Sequence, residues 1–322
     1  MIAARPFNPS RAYVIPTDVP QPQPHLDVVL LADLLRQDKV QSTTPMLLMT
    51  IDQHVVAFIT RQVVLLHVLQ TRMFSQHFLI SFCSVCNSGA VFSPCIDSVP
   101  HTFTVGGMYN AMIFLRDQEA GSYWDHLTGV CIAGRHCDTR LTRLSNLLHV
   151  TAHQVVNMHP DAIVMTATLS AEEEASAVDE DAWRLEHQPE WSDGLARLLD
   201  QEDTRLPRLD MGLGVWAEGV YCYYPSARIS AAGGALIDVF DGHRLLVYRM
   251  PGSAAPMALF TQAEAVKWEG KTLLLDDGSS VRDGLLYGAG GAVLTPDRPT
   301  QVYMRWFGFS SKFPGCTIYG RR

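Results

Sequence analysis

The sequence predicts a mainly β chain of the α+β type, with two pseudo-repeated halves of short strands, a few helices and an acidic helical linker between them. Three observations predict it. Short apolar runs bounded by Gly, Asn, Asp or Pro fill residues 45–166 and return from residue 213 onward, as strands do. The stretch between them is acidic and rich in helix formers. The two strand-rich parts also present similar features in the same order.

Taken in order, residues 1–44 read as a proline-rich extended arm followed by a short helix over 26–36, where apolar residues fall at helical spacing. The first β-rich half, 45–166, contains the runs 55–59, 78–82, 102–105 and 112–115, then a helix at 152–158 and a strand at 163–165. Residues 167–212 hold 13 Asp and Glu against 4 Arg, a net of −9, while the rest of the chain sums to +1. This segment reads as a solvated helical spacer whose apolar side carries Trp183, Leu185, Trp191, Leu195, Leu198 and Leu199. The second half, 213–322, has strand-like runs at 220–224, 245–248, 272–275 and 301–304. In the proposed repeat, the run at 79–82 aligns with 245–248, and the His159-Pro160 region aligns with Phe313-Pro314. Arg249-Met250-Pro251-Gly252 then falls where the first copy has a cysteine pair, so the fold does not demand the thiols.

Composition excludes several classes. With 322 residues, 47% hydrophobic and 18% charged, the chain is globular and has ample material for a core. Seven cysteines are too few for a disulfide scaffold, and the odd number leaves one unpaired. No basic stripe suggests nucleic acid. No run approaches the roughly 20 apolar residues that span a bilayer, and none resembles a signal peptide. A cytoplasmic protein with reduced thiols is expected, acting on a small molecule or peptide, with neither nucleic acid nor membrane as partner.

The chemistry concentrates in Cys83-Ser84-Val85-Cys86-Asn87-Ser88-Gly89, which follows an apolar strand and enters a turn. Such a turn aims both sulfurs at one point. A second dense stretch, residues 121–131, adds Trp124, Asp125, His126 and Cys131.

The cysteine segment resembles the Cys-Pro-Leu-Cys-Asn-Ser motif of a bacterial family catalogued as domain of unknown function 3179. Gly106-Gly107-Met108-Tyr109-Asn110 is similar to its Gly-x-Leu-Tyr-Asn segment. Arg116-Asp117, Ser122-Tyr123-Trp124 and Thr128-Gly129-Val130-Cys131-Ile132-Ala133-Gly134 resemble the elements that follow, with Arg and Asp in reversed order. Trp306-Phe307 and Phe313-Pro314 resemble the closing motif. The resemblance covers roughly residues 47–319, with a poor fit over 60–77. Ser84 replaces a Pro, His126 stands where Gln is common, and Cys131 and Cys137 are additional thiols. The resemblance implies a fold and a site, but no established reaction.

Cys83 and Cys86 suit a soft ion, with His126, Cys131, His136, Cys137 and Cys95 as further ligand options; His126 and Cys131 are the first choices. A redox dithiol and a pair of inert buried thiols are the alternatives. His126 can act as ligand or general base, oriented by Asp125 or Asp117, or can be a surface histidine on a turn. Arg116 and Asp117, at a strand end, form either a substrate-orienting pair or a structural one. Tyr109, Asn110 and Trp124 are candidate pocket residues. The leading expectation is a copper-dependent oxidoreductase in which Arg116, Asp117 and His126 do the catalytic work. A zinc-clipped structural or interaction module and a metal-free dithiol protein are the other two readings. Gly288–Ala292 lacks the Lys-Ser/Thr ending of a phosphate loop and reads as a turn.

Overall fold

Two-residue hairpins build much of the chain. Asp52-Gln53, Phe74-Ser75, Asp97-Ser98 and Asn110-Ala111 all adopt positive φ at both turn positions, the backbone that matches the twist of paired strands. They join Pro45–Ile51 to His54–Ile59, Val68–Met73 to Gln76–Cys83, Cys95–Ile96 to Val99–Pro100, and Phe103–Tyr109 to Met112–Asp117. The computed structural model describes residues 7–19, 21, 25–170, 172–173 and 188–321. Within them the protein is mainly β, with several small sheets and short helices.

The two halves share one connectivity. In the first, Pro45–Ile51 and His54–Ile59 pair antiparallel, and the helix Thr60–Leu66 leads into the antiparallel strands Val68–Met73, Gln76–Cys83 and Ser88–Phe92. A meander follows; then Leu148–Thr151 pairs with Pro45–Ile51, and after the helix Ala152–Met158 the strand Ile163–Ala167 runs parallel to His54–Ile59. In the second half the corresponding units are Met211–Ala217 with Val220–Pro225, the helix Ser226–Ala231, and Ala235–Phe240, His243–Tyr248 and Met257–Phe260. Another meander precedes Thr300–Arg305, which pairs with Met211–Ala217. The helix Trp306–Lys312 and the strand Thr317–Ile318, parallel to Val220–Pro225, complete it. The pseudo-repeat read from the sequence is therefore present in this shared connectivity, and Leu26–Leu30 and Arg143–Ser145 add edge strands to the first half's sheets alone among the described residues.

The halves interlock. One core contains Met46, Leu48, Val150 and Val155 of the first half together with Leu246, Tyr248, Met257 and Leu273 of the second. Another contains Cys83, Cys86, Met112 and Ile113 of the first half with Tyr223, Met304, Trp306 and Phe309 of the second. Each half's helix-bearing sheet thus closes over hairpins belonging to the other half.

Two expectations are corrected. Residues 26–36 are not one helix: Leu26–Leu30 is a strand along Ile163–Ala167, and only Leu31–Arg36 is helical. The β-branched pair Val28-Val29 and an available sheet edge outweigh the helical spacing. The acidic segment is also more than a solvated spacer. Its helix Gln188–Leu198 is followed by Leu199, and Leu195 and Leu199 are buried in the core that contains the cysteine pair. Trp183, Leu185 and the side chain of Trp191 lie outside the described residues. In the arm, Tyr13–Val14 forms an edge strand beside Phe103–Tyr109, and Phe7 packs on Tyr109, Phe114 and Tyr123. No helix among the described residues is long and apolar enough to cross a membrane.

His149, in the strand Leu148–Thr151, packs between Phe82 and Tyr303. Burial pushes its pKa down to about 4 from an ordinary 6.5. The folded state therefore binds fewer protons than the unfolded one between these values, so stability falls as pH drops from 6.5 toward 4. In denaturant titrations across that interval, His149→Gln is expected to make the loss shallower than in the parent chain.

Candidate functional site

Gln76–Cys83 ends at the first cysteine and Ser88–Phe92 begins just past the second, so the loop between two buried antiparallel strands presents both thiols inward. Cys83 and Cys86 are both 0% exposed. Asn87 takes a positive φ of 55°, which turns the chain back and leaves Ser88 Oγ 2.9 Å from Cys86 Sγ. The loop is clamped from the second half. Arg305 donates from Nη1 to the carbonyls of Ser84 at 3.0 Å and Val85 at 2.6 Å, and its backbone N–H donates to Cys86 O at 2.9 Å. Gly308 lies against the same loop: a Cβ there would stand 2.9 Å from Cys86 Cβ and 2.6 Å from Met304 Cε.

The third member arrives from the meander. Phe114 pairs with Asp125 and Leu115 with Trp124, so the turn after Tyr123–Asp125 carries His126 into the core, where it too is 0% exposed. His126 Nε2 is 3.8 Å from Cys86 Sγ. One ligand atom each from Cys83, Cys86 and His126 lies within 4.8 Å of the others. His126 Nδ1 is buried and has no hydrogen-bond partner, a state that costs about 1–3 kcal/mol if nothing meets it.

The three groups differ electrostatically. Burial alone would raise the Cys83 thiol, but the Cys86 thiol and the backbone N–H groups of Ile113, Cys86 and Val85 are directed at it and bring it down to about 7. Burial and the proximity of Cys83 push Cys86 well above the ordinary thiol range. Burial, opposed by Asp125 and reinforced by the positive charges of Lys312 and Arg143, lowers His126 to about 4. The site therefore offers a thiolate-prone sulfur, a thiol that would have to release its proton to bind a cation, and a neutral imidazole. Asp125 would be raised by burial, yet the adjacent Lys312 ammonium holds it below the usual carboxylate range. Its Oδ1 also accepts from Thr128 N and Oγ1, both at 2.7 Å.

The other predicted residues separate. Asp125 is engaged with Lys312 and Thr128 and makes no hydrogen bond to the His126 ring; neither does Asp117. Arg116 and Asp117 do not pair, because neighbouring strand residues face opposite sides. Arg116 donates to Ile15 O at 2.9 Å and anchors the arm, whereas Asp117 accepts from Trp124 Nε1 at 2.8 Å. Trp124 is fully buried and belongs to a core rather than a pocket. Cys131 is not among the converging ligand atoms; its thiol donates to Ala133 O at 3.4 Å. Tyr109 and Asn110 do share a cleft of about 190 Å³ with Asp125, Arg140, Lys312 and Phe313. Asp125 and Lys312 line this cleft, whereas the buried His126 does not.

Sequence reasoning missed Arg305, Gly308, Lys312 and Arg143. The first three lie in or beside the closing Trp-Phe and Pro motif, a position that could have marked them. Arg143 donates to Leu127 O and packs over the rings of Phe92 and Trp216, holding the turn that carries His126.

Two substitutions test this construction. Arg305→Ala leaves two loop carbonyls without their charged donor and is expected to cost about 2–3 kcal/mol in denaturant unfolding. Gly308→Ala drives a methyl into Cys86 and Met304 and is expected to cost about 1–3 kcal/mol in the same assay.

No curated protein and no solved structure matches the chain. One family model does match, over residues 23–313, and its description is "Protein of unknown function (DUF3179)". The match begins before residue 47 and takes in 60–77, the stretch that fits the motif pattern poorly. It spans the cysteine loop, His126 and the Arg305 clamp alike, and the chain belongs to this family of unknown function.

Proposed function

We propose that the protein is a metal-dependent oxidoreductase centred on one soft ion, copper in preference to zinc, held by Cys83, Cys86 and His126. The observation that carries this reading is the convergence of two sulfurs and one imidazole nitrogen within 4.8 Å, all three side chains fully buried. Among the described residues no fourth His, Cys, Asp or Glu joins the group. A closed zinc clip wants four protein ligands, whereas three donors rich in sulfur suit Cu(I). The 3.8 Å between Cys86 Sγ and His126 Nε2 is a long hydrogen bond. It is also close to the roughly 3.6–3.8 Å kept by a thiolate and an imidazole bound to one ion at about 2.3 and 2.0 Å.

The cleft lined by Tyr109, Asn110, Arg140 and Lys312 would take a small molecule or the end of a peptide. Arg140 and Lys312 favour an acidic group there. Asp117 and Arg116 have no part in this reading. All seven cysteines are free, in keeping with a reducing, cytoplasmic setting.

A second reading rests on the asymmetry between Cys83, brought down to about 7, and Cys86, pushed up. That asymmetry also suits a metal-free dithiol. Elemental analysis of protein purified without chelator separates the two. About one copper per chain is expected, lost in Cys83→Ser, Cys86→Ser and reduced at least tenfold in His126→Ala. One zinc in place of copper, lost in the Cys83→Ser, Cys86→Ser variant, would overturn the redox assignment. No metal from metal-replete cells, with a reversible Cys83–Cys86 disulfide, would replace the metal reading by the dithiol one.

A further inference from the structure

We propose that His101, Asp117 and His136 form a second metal site, separate from the cysteine centre, for a divalent first-row ion of the zinc or ferrous class. One ligand atom from each lies within 4.8 Å of the others. His101 Nδ1 stands 3.6 Å from Asp117 Oδ1. That is too long for a hydrogen bond. It is close to the separation of about 3.4 Å that two ligands keep when each binds a tetrahedral ion at about 2.1 Å.

Two further observations point to a ligand. His101 Nδ1 is buried without a hydrogen-bond partner, although the side chain as a whole is 12% exposed. Asp117 is fully buried and already oriented, as the carboxylate of a metal site is by its surroundings. Its Oδ2 accepts from Trp124 Nε1 at 2.8 Å and its Oδ1 from Ala120 N at 2.7 Å, which leaves a lone pair on each oxygen. The His101 and His136 rings meet edge to face at 5.5 Å, and His136 is anchored by its backbone N–H to Ser122 Oγ at 3.4 Å. Glu119 Oε2, 3.7 Å from His101 Nδ1, adds negative charge at the rim.

Two imidazoles and a carboxylate are harder donors than the sulfur-rich set, so the two sites would select different ions. Both stand on one strand, Met112–Asp117. The Ile113 amide faces Cys83, and Asp117 lies four residues further on, about 13 Å along the strand at ~3.3 Å per residue.

The test uses the full chain with Cys83→Ser and Cys86→Ser, titrated with Zn²⁺ by calorimetry and with Co²⁺ by absorption. One equivalent is expected, with a zinc X-ray absorption shell of nitrogen and oxygen only. Adding His101→Ala and His136→Ala should weaken it at least tenfold. If the cysteine variant does not fold, the same histidine pair is changed in the parent chain, where zinc stoichiometry should fall by one. Unchanged stoichiometry and affinity after the histidine changes would overturn the site. So would sulfur in the shell, which would transfer the ligand role to Cys131 or Cys137.

Discussion

The guanidinium of Arg305 on the carbonyls of Ser84 and Val85 is the contact on which the cysteine centre depends. A loop that turns two thiols inward exposes its own carbonyls on the outer side, and buried carbonyls need donors. Arg305 supplies two from its side chain and a third from its backbone to Cys86. Being a cation, it also lowers the cost of negative charge on sulfur, and it acts in that sense on Cys86. One residue thus fixes the loop's shape and biases its chemistry.

The interlocked halves explain why that residue lies more than two hundred positions away. The strand Thr300–Arg305 and the helix Trp306–Lys312 correspond to Leu148–Thr151 and Ala152–Met158. Each such unit covers the other half's loop. In the counterpart, Met250 and Met158 both crowd against Gly284, and an apolar contact occupies the place of the thiols. The same architecture therefore supports a polar site at one end and ordinary core packing at the other.

Much of this was legible from local pattern. The strand runs, the helix at 152–158, the repeat and the cysteine turn all follow from spacing and turn residues within short windows. His126 was legible because an aromatic stretch and the family motif flank it, although its complete burial was not. Arg116, Asp117, Trp124 and Cys131 share the same stretch of sequence but go elsewhere. Strand alternation and the register of Leu115 with Trp124 send them to other faces, and register is a tertiary property. Arg305, Gly308 and Lys312 lie in or beside the closing motif, but their roles were not legible for a related reason: nothing in a linear window reports which half's helix covers which loop.

Tethering gives the interlock a kinetic meaning. Because the two halves belong to one chain, the closing of Arg305 over the cysteine loop is an encounter within a molecule, at an effective concentration set by the connecting segment. Two separate copies of a half would have to find each other, and assembly of the thiol centre would then rise and fall with protein concentration. The acidic segment also buries Leu195 and Leu199 beside the cysteines. It thus acts as tether and as part of the wall, so centre formation becomes a property of a single polypeptide, independent of dilution.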